Sequence, residues 1–226
     1  MSIASKFAAA GILSTACLAA HASPVTYLGG DDNVSSLSQM VNSLAAEAAF
    51  SAAAGSLNTV DFESALPANI SISGGTTTDN SGCGALCGIN TTAGGSFLRS
   101  LIGGSVTFSF TNPVDAFGFY VTGLQTNLVP QQTIVYVDGS SVTQTINVPS
   151  AINGGGAFIG FIDSGNLISS ITFNATNDVV AFDDLRYGRA QSNPGGPGND
   201  VPEPASLALI GLGCAGLVSA RRKKTS

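Results

Sequence analysis

The side chains able to do chemistry in this 226-residue chain are few, and most are carboxylates. Glu63 closes the run Val60-Asp61-Phe62-Glu63, and Asp183 and Asp184 sit within Ala181-Phe182-Asp183-Asp184-Leu185. Carboxylate oxygens joined by backbone carbonyls make the hard donor set that calcium prefers, and a bound cation would relieve their mutual repulsion. In strict alternation Asp183 shares a face with Val179, Ala181 and Leu185, whereas Asp184 follows Val180 and Phe182, and Asp183 is the preferred ligand of the two. The same residue types could form a glycosidase pair. That chemistry needs one carboxyl of raised pKa beside a cleft furnished with aromatic platforms. The chain has no tryptophan, and its tyrosines are Tyr27, Tyr120, Tyr136 and Tyr187. No catalytic signature stands out, and an enzyme is not expected. Tyr120 or Tyr136 could instead stack on a sugar face, with Asn127, Asn153 and Asp163 bonding hydroxyls, although each reads more readily as a core aromatic or a turn residue.

The two ends of the chain explain why so little else is available. Lys6, the apolar stretch Phe7 to Ala20 and the small-x-small site Ala20-His21-Ala22 read as a signal peptide, residues 1–22, removed before Ser23. Its removal takes the only histidine. Between Ser23 and Asp200 the bases are Arg99, Arg186 and Arg189 against 13 acids, a formal charge of −10. Such a domain repels phosphate backbones, which excludes nucleic acid as a partner, and without histidine there is no conventional catalytic triad and no imidazole ligand. Cys17 and Cys214 fall in the terminal segments. Cys83 and Cys87 remain, in a glycine-rich stretch, and in an oxidising compartment a disulfide closing this short loop is the default.

At the other end, Val201-Pro202-Glu203-Pro204 precedes an uncharged apolar run from Ala205 to Ala220 and the basic cluster Arg221-Arg222-Lys223-Lys224. As a helix the run is roughly 24 Å long, slightly short of the ~30 Å hydrocarbon core, so it can anchor the chain transiently with its basic end in the cytoplasm. These residues together resemble the PEP-CTERM sorting signal of Gram-negative bacteria. The resemblance implies processing near Pro202-Glu203-Pro204 by an exosortase-type membrane enzyme, and a mature protein at the cell surface or in the extracellular polysaccharide matrix. Residues 191–200, with Pro194-Gly195-Gly196-Pro197-Gly198, read as a flexible linker between the domain and this tail.

The residues that must position the carboxylates fill one domain, about residues 23–190. Val34, Leu37, Val41, Leu44 and Ala48 recur at three- and four-residue steps, with Asp31, Asp32 and Asn33 as caps and Gly55 as a stop, which predicts an amphipathic helix over roughly 35–54, packed on a sheet edge or an open face. Beyond Gly55 the apolar pattern shortens to period two, broken by Gly, Asn, Asp and Pro. Strands are expected near 57–62, 70–73, 105–111, 116–122, 133–137, 141–148, 157–163, 168–173 and 179–187, with Asp138-Gly139 as a hairpin turn. Nine short strands with such turns predict a mainly β fold, an antiparallel sandwich of the jelly-roll type.

Three segments carry a further resemblance. Ala48-Ala49-Phe50-Ser51-Ala52-Ala53-Ala54-Gly55 followed by Val60-Asp61-Phe62-Glu63, then Ala116-Phe117-Gly118-Phe119-Tyr120-Val121, then Ala181-Phe182-Asp183-Asp184-Leu185, look like recurrent blocks of exported PEP-CTERM proteins. The first and last are also similar to the ends of jelly-roll carbohydrate-binding modules. That similarity implies that Glu63 lies beside Asp183 and Asp184 at a structural calcium site. The functional expectation is a non-catalytic structural or interaction protein of the cell exterior, with a polysaccharide-binding module as the alternative.

Overall fold

The computed structural model describes residues 24–79, 94–101, 103, 105–125, 128–148, 155–176 and 178–191. In chain order these form β1 (Val25–Asp31), a 3-10 turn (Leu37–Gln39), α1 (Val41–Ala54), β2 (Asn58–Val60), β3 (Ile70–Ser73), β4 (Gly75–Asp79), β5 (Ser96–Ser100) and β6 (Ser105–Val114). They continue with β7 (Ala116–Leu124), β8 (Gln131–Tyr136), β9 (Ser141–Thr145), β10 (Gly155–Ile162), β11 (Ile168–Asn174) and β12 (Ala181–Gly188). All ladders are antiparallel. The first sheet runs β1-β10-β7-β12-β5-β4 with β2 also on β12, and the second runs β3-β6-β11-β8-β9. Between them lies a core rich in phenylalanine, in which Phe119 meets Phe173 and Phe182 at ring-centroid distances of 5.8 and 5.3 Å.

The expected antiparallel sandwich is therefore the fold, and each expected strand overlaps an observed one. Three further strands, β1, β4 and β5, had no clear alternation to announce them. The last strand starts at Ala181 and not at Val179.

The central strands of the first sheet are covered on both faces. On β7, Phe117, Phe119 and Val121 point into the sandwich, while Ala116 and Tyr120 belong to a second cluster with Met40, Phe50, Ala54, Phe158 and Ile162 beneath α1. The helix approaches closely because glycine lines its bed. Gly118 and Gly160 are register partners on β7 and β10, and a Cβ on either would fall about 3 Å from the Phe50 ring: 3.1 Å from Gly118 and 2.9 Å from Gly160. Phe50 thus occupies a hollow made by two missing side chains, edge-on to Tyr27 and tilted against Phe158. At β1 the fit is tighter still, since a Cβ on Gly29 would lie 2.1 Å from the Asn42 carbonyl oxygen.

This seating also corrects the expected helix. It begins at Val41, not near Ser35, because the carboxylate of Asp31 on β1 caps it there. Asp31 Oδ1 accepts the Asn42 N–H at 3.0 Å and Oδ2 accepts the Ser43 N–H at 2.9 Å. Asp31 was among the expected caps, but it acts from an adjacent strand and not from the preceding turn. The buried stripe is Met40, Ser43, Phe50 and Ala54, whereas Val41 is 66% exposed and Ala48 is also exposed. The apolar period was present, but the glycine hollow selects the face that carries Phe50.

Phe50→Ala should destabilise the domain by about 3–5 kcal/mol, as for a large buried aromatic, and Gly160→Ala by about 1–3 kcal/mol through overpacking. Because the added methyl would occupy the space Phe50 vacates, the double variant should cost less than the sum of the two singles in a denaturation cycle. Strict additivity would show that the hollow does not seat the helix.

Candidate functional site

Charge in this domain is pushed to places where backbone N–H groups, arginines or water can meet it. Burial works against the Asp31 charge, yet two backbone N–H groups and the Asn42 and Ser43 side chains outweigh it and hold its carboxyl below the usual carboxylate range. Asp115, also buried, accepts the Ala190 N–H at 2.6 Å and pairs with Arg189 at 2.9 Å, closing the end of β12 onto β7. On the outer face Arg186 pairs with Glu47 of α1 and donates to Ser51 Oγ at 2.8 Å, fixing the helix to β12 from the other side.

The carboxylates singled out in the sequence gather at a seam. One edge of β12 is shared: β5 pairs with its first residues, Ala181 and Phe182, and β2 with its last, Leu185 to Tyr187. Asp183 and Asp184 fall between the two partners, where the register to β7 also shifts. Asp184 takes a left-handed backbone, φ 48°, and this bulge breaks the alternation on which the facing of the two aspartates was judged. Phe182 and Leu185 consequently both enter the core. Asp183 is 2% exposed and its Oδ1 accepts the Asp184 N–H at 2.9 Å. Asp184 stays half-buried.

Glu63 reaches this seam from the end of β2. Its Oε1 accepts the N–H groups of Gly95 and Ser96 at 2.7 and 2.6 Å, so it ties β2 to the start of β5 across the gap beside the aspartates. A backbone-clamping role of this kind leaves no pattern in sequence. Asp61, two residues earlier, also acts on Asp184. Burial, then the Asp183 charge, then that of Asp61 raise the Asp184 carboxyl to about 6. Among the described residues no group of three or more His, Cys, Asp or Glu side chains converges as metal ligands.

The tyrosines require a correction. Tyr120 is 2% exposed beneath α1, and Tyr136 is 3% exposed with its hydroxyl donating to Asp163 Oδ2. Neither can stack on a sugar, because the two-sided burial of the first sheet takes one and the inter-sheet core takes the other. Asp163 itself is buried and holds the following turn through Asn166 Nδ2 at 2.8 Å. Every phenylalanine among the described residues is buried as well, so no exposed aromatic platform exists there. A depression of about 290 Å³ between the Tyr136 to Asp138 and Gly165 to Leu167 turns is open to solvent.

Cys83, Cys87, Asn127, Asn153, the signal peptide and the whole tail from Val201 through Lys224 lie outside the described residues. Among the described residues no helix is long and apolar enough to cross a membrane.

Fold and site together define a mainly β domain, an antiparallel sandwich with one helix on an outer face. Residues 200–223 match the PEP-CTERM protein-sorting motif, so the chain carries that motif behind its sandwich. No curated protein matches the chain. Among solved structures, a cleaved adhesin domain of Lys-gingipain is similar at 11% identity, covering 58% of this chain and 99% of that one with a TM-score of 0.41. A second such domain, from Porphyromonas gingivalis, is similar at 14% identity over 60% of this chain and 99% of its own, TM-score 0.34. A variant family 29 carbohydrate-binding module is similar at 14% identity, covering 61% of this chain and 96% of its own, TM-score 0.38.

The seam generates a pH dependence. An acid whose pKa is raised in the folded state binds its proton more tightly there than when unfolded, so stability falls as pH rises from about 4 to about 6 and the loss is complete above that window. After allowance for solvent screening of a half-exposed group the effect is about 1 kcal/mol. Asp184→Asn keeps the shape, tolerates the left-handed backbone and removes the charge. Thermal denaturation should show the variant to be the more stable protein at pH 7 but not at pH 4. Equal pH profiles would contradict the assignment.

Proposed function

We propose that the chain is a non-catalytic structural or interaction protein of the cell exterior, delivered there by an exosortase-type system. The observation that carries this reading is the match of residues 200–223 to the PEP-CTERM sorting motif. The domain ahead of it suits the role. It is acidic, has two-sided burial at its centre and is held by carboxylates that cap, clamp and pair, features of a rigid module and not of a reaction centre. In this reading the apolar run from Ala205 to Ala220 holds the chain transiently in the inner membrane, Arg221 to Lys224 stay on the cytoplasmic side, and cleavage near Pro202-Glu203-Pro204 releases the domain to the surface or matrix.

Mass spectrometry of the protein recovered from the cell exterior should find residues 1–22 and the segment beyond Pro204 removed. Replacing Pro202-Glu203-Pro204 by three alanines should leave the tail uncut and the protein in the membrane fraction. An exterior protein with its tail intact would overturn the reading.

A second reading concerns the seam: calcium taken up there by Glu63 together with Asp183 or Asp184 and backbone carbonyls, close to Asp61. Its support is the Asp184 carboxyl, raised to about 6 first by burial and then by the Asp183 and Asp61 charges, whose repulsion a divalent cation with oxygen preference would relieve. Added calcium should raise the melting temperature of the wild type at pH 7 and a chelator should lower it, while Asp184→Asn should respond to neither. A wild-type melting curve that does not move with calcium removes this site.

A further inference from the structure

The outer face of the second sheet is built as strictly as its core, and from one kind of residue. In β3, β6, β8, β9 and β11 the inward positions are mainly Ile, Val, Phe and Tyr, while most outward positions are Ser or Thr, the others being Asn112, Pro113, Gln131, Asn174 and one valine. The ladder registers place Ser73, Thr107, Thr172, Thr133 and Thr143 opposite one another, one per strand, in an unbroken row across all five strands. At a strand spacing of about 4.8 Å this row is roughly 19 Å long. A parallel row runs from Ser71 to Ser141.

Two features distinguish this face from ordinary solvated surface. First, its hydroxyls are organised: Thr107 Oγ1 and Thr172 Oγ1 are 2.9 Å apart, and Thr133 Oγ1 and Thr143 Oγ1 are 3.0 Å apart. Each such pair uses one donor and one acceptor and keeps spare donor and acceptor capacity. Threonine's restricted χ1 also means that little side-chain entropy remains to be lost when a ligand binds. Second, none of the five strands contains a charged residue, in a domain of formal charge −10. The acids have been kept off this face.

We infer that the hydroxyl face of the second sheet is a docking surface for an extended, uncharged polysaccharide, lying across the strands along the row from Ser73 to Thr143. This deepens, and rests on, the reading of the chain as an exterior interaction protein. Charge selects the ligand class: a face without cations gives nothing to acidic polymers or phosphate, and the surrounding −10 repels them. A protein partner is disfavoured because stable protein interfaces centre on aromatic, aliphatic or arginine anchors, and the face offers none. A neutral glycan needs what is present, a periodic line of short hydrogen-bonding groups. Ice would match hydroxyl rows as well, but it requires a flat two-dimensional lattice, and strands rotated by roughly 20–25° from one to the next deny it over five strands, whereas a single polymer chain can follow the twist.

The test is affinity electrophoresis of the full chain in mild detergent, through gels containing hydroxyethylcellulose, glucomannan or dextran, with alginate as the anionic comparison. At least one neutral glycan should retard the wild type, equally at low and high salt, and alginate should not. The triple variant Thr107→Val, Thr133→Val and Thr172→Val, isosteric and at home in strands, should weaken retardation at least about tenfold, since each lost hydroxyl removes a hydrogen bond of about 1 kcal/mol. Should the triple variant melt early, Thr172→Val alone should weaken it about fivefold. Thr76→Val and Thr77→Val on β4 should change nothing. No retardation by any neutral glycan, retardation abolished by salt, or wild-type binding by the valine variants would each overturn the inference, as would ice shaping that depends on the same threonines. An unretarded protein that is nevertheless processed and exported sinks this inference alone, whereas a retarded protein left with its tail uncut sinks only the sorting reading.

Discussion

The two sheets do not have equal duties, and most of the molecule follows from that inequality. The first must bury both faces along β10 and β7, one against the second sheet and one against α1. A strand buried on both sides has no place to put charge, so its polar groups must find partners or leave. Glycine at 118 and 160 makes room for the helix, aspartate 31 turns from the strand to cap it, and Asp183 and Asp184 sit where the ladder is interrupted. The second sheet buries one face only and leaves the other free to be polar throughout.

Burial on both sides also decides what could be recognised in advance. Wherever one face was inward and one outward, as in β6, β8 and β11, alternation gave the strand, its register and its inward residues together. In β7 the same alternation was present but both halves were buried, so Tyr120 could be taken for a surface ring when it lies under α1. β1 was concealed by Gly29 and Gly30, the first of which makes room for the helix. β4, Gly75–Asp79, and β5, Ser96–Ser100, are short and, in β4, almost without apolar residues, so pairing alone makes them strands.

The seam shows a different limit. Asp183 and Asp184 interrupt the ladder where β12 passes from β5 to β2, and Glu63 bonds the start of β5, an arrangement that turns on features no pattern encodes. A bulge at Asp183 and Asp184 resets the facing of everything after it, and the oxygen of Glu63 is spent on two backbone N–H groups. The threonine rows, by contrast, went unread in the sequence. They lie in the polar half of the same alternation that revealed the core, and their alignment emerges only once register joins five strands.

The position of β12 has a consequence for how the protein can be made. This last strand is the common neighbour of β2, β5 and β7, so it stands in the middle of the first sheet while ending at residue 188 of the chain. A polypeptide threaded outward from its amino end cannot close that sheet until nearly its whole length has crossed. Earlier segments must wait, unpaired, for a strand that arrives just ahead of the sorting motif. Completion of the fold and arrival at the sorting step are thereby set close together in time, and a chain cut short before Ala181 would present an open sheet with nothing to fill its centre.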